Sequence, residues 1–409
     1  MISKISFKNY KIFKRKQTLE LKPITILIGK NNSGKTAVLK LPTMIERSLS
    51  GRFDSPFELM NDNVKIGNEY RDVIYGRNFR EVELEIFQKK VLDNNVYDFL
   101  KTEIGVEENI PSIVSWNCND ILDLNKSDDN NIYHSEVQNK NYQVTFQGFC
   151  VRKIGFFNAL NYEDEFLQLP KFELNTDFIG GIRTVGLPSY NYSSAISEKS
   201  GYYGLKLYDF LIADYLTTDK KYYTQISNFI KEKFERWEIS IDVDGGRTDK
   251  PAIIFLEKEG LKINISETGT GISQVLPLVI RAYKPCKEET LIIIEEPESH
   301  LHPYAHAQLA QLYFDSLALD RNKKYLFETH SQNFVLRMRR LVAEGKLRPE
   351  DLAIYYVDFD EETNESELKS INVKEDGSVD FWPDGVFGET IIETRAIMSA
   401  NINDVRNVD

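Results

Sequence analysis

Hydrophobic and polar positions follow different rhythms in the two halves of this 409-residue chain. In the first half, apolar residues recur at every second position. Ile5 and Phe7 alternate with Lys and Ser, and Val82, Leu84 and Ile86 alternate with Glu81, Glu83 and Glu85; Tyr142, Val144 and Phe146 repeat the pattern. Such alternation buries one face of a strand and wets the other. Ile2 to Phe7 and Gln17 to Leu21 therefore read as a hairpin, and the chain up to about residue 170 as a β-rich, antiparallel segment. Asn119 to Asn141, dense in Asn and Asp, reads as a flexible loop.

The middle of the chain predicts two helices, Leu205 to Tyr215 and one carrying Ile226, Phe229, Ile230, Phe234 and Trp237. A hairpin follows, Ile239 to Val243 and Ala252 to Leu256 about an Asp244-Gly245-Gly246 turn, with Leu261, Ile263 and Ile265 as one more strand. From Gly271 onward the rhythm becomes alternating helix and strand. Ile272, Val275, Leu276, Val279 and Ile280 form a helical stripe. Leu291 to Ile294 is an unbroken apolar run, and Pro303 to Leu319 is a helix opening on proline. Tyr325 to Phe327, Asn333 to Glu344 and Leu352 to Val357 continue as strand, helix and strand. Repeated βα units predict a parallel sheet, so the fold class is α/β with an added antiparallel subdomain. The expected divisions are a first lobe at 1–50, an inserted β-rich and helical region at 51–250, a second lobe at 251–360 and a tail at 361–409.

Composition narrows the class. With 41% hydrophobic residues the chain can bury a large core. It has no apolar run of about 18 residues, and its N-terminus mixes lysines with apolar residues, so neither a membrane span nor a secretory signal is expected and the cytoplasm is the expected location. Cys118, Cys150 and Cys286 are widely spaced, without a Cys-x-x-Cys pair, so neither a disulfide frame nor a thiolate zinc site is expected. A net charge of −12 argues against an overall basic surface. The first twenty residues nevertheless hold Lys4, Lys8, Lys11, Lys14, Arg15 and Lys16 against a single acid, Glu20. That cluster reads either as a solvated face or as a nucleic-acid patch.

The chemistry centres on Pro23 to Thr36. Ile24, Ile26, Leu27 and Ile28 form a buried strand, and the following residues fit G-x-x-x-x-G-K-[ST] at every fixed position: Gly29, Lys30, Asn31, Asn32, Ser33, Gly34, Lys35 and Thr36. Glycines let the backbone curl so that N–H groups and a helix N-terminus face a polyphosphate. Lys35 reaches the terminal phosphates, and the Thr36 hydroxyl can ligate magnesium. Pro42 is expected to kink or shorten the helix that follows. Leu291 to Pro297 is an apolar strand ending in two acids. Beside the phosphate loop, Glu295 can hold magnesium and Glu296 can orient or deprotonate water. Glu267 to Gln274 places Gly269, Gly271 and Ser273 at a helix start, an anion-binding end or an ordinary capped turn. Glu328-Thr329-His330-Ser331 puts a histidine after another buried strand. Glu298, His300, His302 and His306 also place four potential zinc ligands within nine residues.

In this order the motifs resemble the ATPase heads of the ABC superfamily, in particular the soluble branch that includes the SMC heads and the overcoming-lysogenization-defect type ATPases. The resemblance covers residues 1 to 45 and about 255 to 360. It implies that Gly271, Ser273 and Gln274 belong to the signature motif, that Glu295 and Glu296 are the Walker B acids, that His330 is the switch histidine, and that His300 to Pro303 form the loop contacting an opposing subunit. Gly-x-Gly-x-Ser-Gln-Val-Leu-Pro, Glu-Glu-Pro-Glu-x-His-Leu-His-Pro and Asp380 to Phe387 are similar to a bacterial family of stand-alone ATPases, many of them beside nucleases or in phage-defence loci. Phe178 to Arg183 resembles a Gly-Pro-Leu-Arg segment of that family, with Gly181 in place of Pro.

The resemblance implies ATP and magnesium as ligands, with ATP sandwiched between the P-loop of one subunit and Ser273 of another, hence a homodimer or higher oligomer. The expected function is an ATP-hydrolysing switch controlling a separate effector such as a nuclease, because sustained heptads are missing and the chain ends soon after Asp360. The alternatives are a non-hydrolysing ATP-dependent scaffold and a repair ATPase that binds DNA directly.

Overall fold

The computed structural model describes residues 2–78, 81–89, 96–107, 110–127, 131–158, 161–165, 168–184, 186–191, 196–243, 251–383, 386–387 and 393–397. A six-stranded sheet organises them, in the order Thr176–Ile179, Thr290–Glu295, Lys323–Glu328, Ile24–Gly29, Leu352–Asp360 and Glu365–Ile371. All neighbours pair in parallel except the last, an antiparallel edge strand.

Period-two alternation sends the side chains of this sheet into two cores. Ile24, Ile26, Ile28, Ile292, Ile294, Tyr325, Phe327, Leu352 and Ile354 face one core. Leu27, Leu291, Ile293, Leu326, Ala353, Tyr355 and Val357 face the other. A strand buried on both faces must be apolar throughout, hence the unbroken runs. Truncating one of these fully buried isoleucines or leucines to alanine would cost about 2–5 kcal/mol.

The second core is closed by helix α1 (Lys35–Leu49) and a ten-stranded antiparallel meander built from Ile2–Lys8, Gln17–Glu20 and the strands between Val82 and Asp164. Pro42 lies inside α1, yet the helix runs its full 15 residues. The first core is closed by α2 (Lys206–Tyr215), α3 (Lys221–Lys233), a three-stranded sheet (Glu238–Asp242, Ile253–Lys258, Leu261–Asn264), α4 (Thr270–Tyr283), α5 (Pro303–Leu319) and α6 (Gln332–Ala343). No described helix is long and apolar enough to cross a membrane.

Three features differ from the sequence reading. Asn119 to Asn141, expected as a loop, contains the strands Leu122–Lys126 and Ile132–Ser135 and the start of Lys140–Gln147. Its Asn and Asp residues occupy the corners, with Asn119, Asp120, Asn131 and Asn139 all at positive φ, where these side chains are tolerated. Second, the segment expected as an insertion supplies Thr176–Ile179 to the central sheet, paired with Leu291 to Ile294. Third, the tandem-acid strand is not beside the P-loop strand: Lys323–Glu328 lies between them. The expected Asp244-Gly245-Gly246 turn lies outside the described residues.

Candidate nucleotide site

The carboxyl edge of the parallel sheet gathers the P-loop, the tandem acids and the histidine-bearing strand. Gly29 has φ 156° and Gly34 φ 101°, and neither could carry a side chain. A Cβ would lie 2.5 Å from the Val357 carbonyl oxygen at Gly29 and 2.8 Å from Ile12 Cδ1 at Gly34. Asn31 and Asn32 are exposed at the loop tip, whereas Ser33 is buried and its carbonyl accepts from Ser366 Oγ at 2.8 Å. Lys35 opens α1 and is buried, with Nζ donating to the carbonyls of Lys30 at 2.7 Å and Gly29 at 3.1 Å. Burial lowers its pKa, opposed by the nearby charges of Glu328 and Glu296.

Thr36 Oγ1 lies 2.8 and 3.0 Å from the two carboxylate oxygens of Glu328, to which its hydroxyl donates. Glu328 ends the strand adjacent to the P-loop strand, in register with Leu27 on one side and Glu295 on the other. It is only 3% exposed. Burial raises its pKa to about 7; Thr36 and Lys35 oppose the shift, and the charges of Glu295 and Glu296 add to it. Glu295 itself accepts from the Gly181 N–H at 3.2 Å, on the side away from the P-loop.

Glu296 takes a left-handed backbone conformation, φ 42°, and so does His300 at 67°. For a residue with a Cβ this strain is of order 1–3 kcal/mol, and here it turns the chain sharply off the end of the strand. The Glu296 N–H donates to the Glu328 carbonyl at 2.9 Å, and its carboxylate accepts from Ser299 Oγ at 2.7 Å. His330 Nε2 lies 3.8 Å from Glu296 Oε1. Burial first and Lys35 second lower the His330 pKa, with Glu296 opposing. The His330 backbone N–H donates to Glu298, a carboxyl whose own pKa is pushed up by burial. A half-exposed carboxylate and an imidazole this close can share a water, as an acid–base pair requires.

The turn that carries Ser273 leads into α4. Ser273 is fully buried on α4, with Oγ 3.5 Å from the Gly269 carbonyl, and Gly271 packs beside the His300 carbonyl. Gln274 is also buried: Nε2 donates to the Arg183 carbonyl at 2.7 Å, and Oε1 accepts the Arg183 N–H at 3.1 Å. The Arg183 guanidinium then donates to the carbonyls of Gly180 at 3.2 Å, Glu295 at 3.3 Å and Glu296 at 3.2 Å. Arg183 thus ties α4 to the backbone of both Glu295 and Glu296. Neither it nor Glu328 was given a role on sequence grounds. The Glu-Thr-His-Ser quartet held the signal for Glu328, the Gly-Gly-Ile-Arg segment that for Arg183.

Two of the three histidines near Glu298, His302 and His306, have partners within the chain. His302 caps α5 by accepting from the Tyr304 N–H, and His306 bonds Ser331 Oγ at 2.8 Å and the Leu301 carbonyl at 3.1 Å. Among the described residues no three His, Cys, Asp or Glu side chains form a metal-holding group, so any cation here needs other oxygens to complete its shell. Three of the six basic N-terminal residues form ion pairs: Lys14 and Arg15 with Glu365 at 2.8 and 3.4 Å, and Lys16 with Glu85 at 2.5 Å.

Residues 195–335, which include Ser273, Glu295, Glu296 and His330, match the family model described as AAA ATPase domain. Residues 347–397 match a protein family of unknown function, DUF3696. No curated protein matches the chain. Among solved structures, an SmcHead bound to the C-winged helix domain of ScpA superposes with a TM-score of 0.51 at 12% identity, over 91% of this chain and 98% of the other. An SMC head domain from Thermotoga maritima gives 0.42 at 10% identity, over 91% and 99%. At 12% identity the likeness to the SmcHead is one of architecture. The chain has the fold of an SMC-head-like P-loop NTPase.

Proposed function

We propose that this chain is a magnesium-dependent ATPase switch whose site is completed by the signature turn of a second copy and whose cycle controls a separate effector, a nuclease being one candidate class. The observation that supports it best is the convergence of Lys35, Thr36, Glu296 and His330 on one edge of the sheet. Lys35 would hold the terminal phosphates, Glu296 would orient and deprotonate the attacking water, and His330 would donate to the γ-phosphate. Thr36 and Glu295 supply hard oxygen donors that suit magnesium, which contributes charge neutralisation on the phosphates. A composite site makes assembly depend on ATP, which fits a switch.

Phosphate release by the intact protein, compared with Glu296→Gln, tests the reading: loss of a general base should lower the rate by about 10²–10⁴-fold. An ATP-binding scaffold would show no turnover to lose. Lys35→Ala and Ser273→Arg should each abolish ATP-dependent dimerisation in sedimentation; assembly that persists in both would sink the composite site.

A further inference from the structure

We infer that Glu328 is a metal-site carboxylate of this ATPase, placed closer to the P-loop threonine than the first Walker B acid; this rests on the magnesium-nucleotide reading of the site. The strand order provides the first support. The tandem acids end a strand one position removed from the P-loop strand, and Glu328 ends the strand between them, directly in register with Leu27. The second support is the contact itself, with both Glu328 oxygens within 3.0 Å of Thr36 Oγ1, the hydroxyl that a P-loop offers to its cation. Glu295 by contrast is drawn toward Gly181, on the side away from the P-loop.

The third support is energetic. Residues 325 to 327 are apolar and fully buried, and Glu328 follows them at 3% exposure. A carboxylate in such a place is stable only with strong compensation; among the described residues the one hydrogen bond its side chain receives comes from a neutral hydroxyl, with the Lys35 charge nearby. A structural role alone would be served better by Gln or an apolar residue. A divalent cation held by Thr36, one or two carboxylates and phosphate oxygens supplies the compensation. It also matches how magnesium is usually bound, through few protein ligands with substrate phosphates filling the shell. The absence of a three-ligand protein group among the described residues agrees with that division.

Manganese retention with ADP, read from the electron paramagnetic resonance signal of free Mn²⁺, tests the assignment. Glu328→Gln should weaken Mn²⁺ binding by about 10–100-fold, at least as much as Glu295→Gln, and leave ADP affinity measured in EDTA unchanged. Glu328→Asp, which keeps the charge one methylene shorter, should recover part of the loss and covers the case in which the amide variant folds poorly. Mn²⁺ affinity within twofold of the parent in Glu328→Gln, with Glu295→Gln deficient, overturns the inference alone. A parent protein that binds neither ADP nor Mn²⁺ overturns the nucleotide reading with it.

Discussion

Two polar clusters are buried at opposite edges of the same central sheet, and they differ in how completely they satisfy themselves. At the amino edge, Arg281 Nε donates to Asp177 at 2.5 Å, with both side chains 2% exposed. Asp177 also accepts from the N–H and hydroxyl of Ser200, and the guanidinium donates further to the Lys284 carbonyl and Cys286 Sγ. Lys284 and Lys323 donate to backbone carbonyls, and burial lowers the pKa of each to about 8. Every charge there has its partner within the chain. At the carboxyl edge, Glu328 has a hydroxyl in place of a cation, Arg183 Nε and Glu298 Oε2 have no hydrogen-bond partner among the described residues, and Glu296 is strained. The first edge is built for stability. The second keeps unfulfilled electrostatics where a ligand can supply the missing charge.

The same chemical change should therefore act in opposite directions at the two edges. Asp177→Asn leaves Arg281 charged and buried without its carboxylate, and should destabilise the fold by about 3–5 kcal/mol in urea denaturation, without altering ATP affinity in the folded fraction. Glu328→Gln should instead stabilise the nucleotide-free protein above pH 7. Because the folded-state pKa of Glu328 is raised from 4.5 to about 7, its favourable contribution is full below pH 4.5 and is lost as pH rises through 7. The variant should therefore gain up to about 3 kcal/mol over the parent at pH 8 and little at pH 4.5. Equal melting shifts at both pH values would show that Glu328 is compensated from within the chain, and the contrast between the edges would fail.

Arg183→Lys sharpens the comparison from within the carboxyl edge. Lysine cannot span the Gly180, Glu295 and Glu296 carbonyls with a planar fork, so about 1–3 kcal/mol of stability should go. Phosphate release should fall more than ATP affinity does; an unchanged ratio would mean that Arg183 supports only the fold. The smallest effect belongs to the surface. Glu365→Gln removes the partner of Lys14 and Arg15 and should change stability by no more than about 1 kcal/mol. If it also raised affinity for duplex DNA in a salt-dependent way, the basic N-terminal cluster would have a role beyond pairing.

What the sequence determined by itself was local. The P-loop, the apolar runs of the parallel strands and the proline-led α5 were legible because backbone curl, two-sided burial and helix start each depend on a few neighbouring residues. The Asn-rich meander was misread because the residues that favour a loop also favour the tight corners between short strands, and only cross-strand pairing separates the two. Tertiary structure alone decided which strand lies beside the P-loop. Strands buried on both faces look alike in sequence and carry no mark of their neighbours. Placing Lys323–Glu328 between the P-loop and the tandem acids sets Glu328 on Thr36, and the return of Thr176–Ile179 to the sheet edge brings Arg183 onto the backbone of Glu295 and Glu296. Both contacts join residues more than 100 positions apart, where short-range hydrophobic periodicity carries no information.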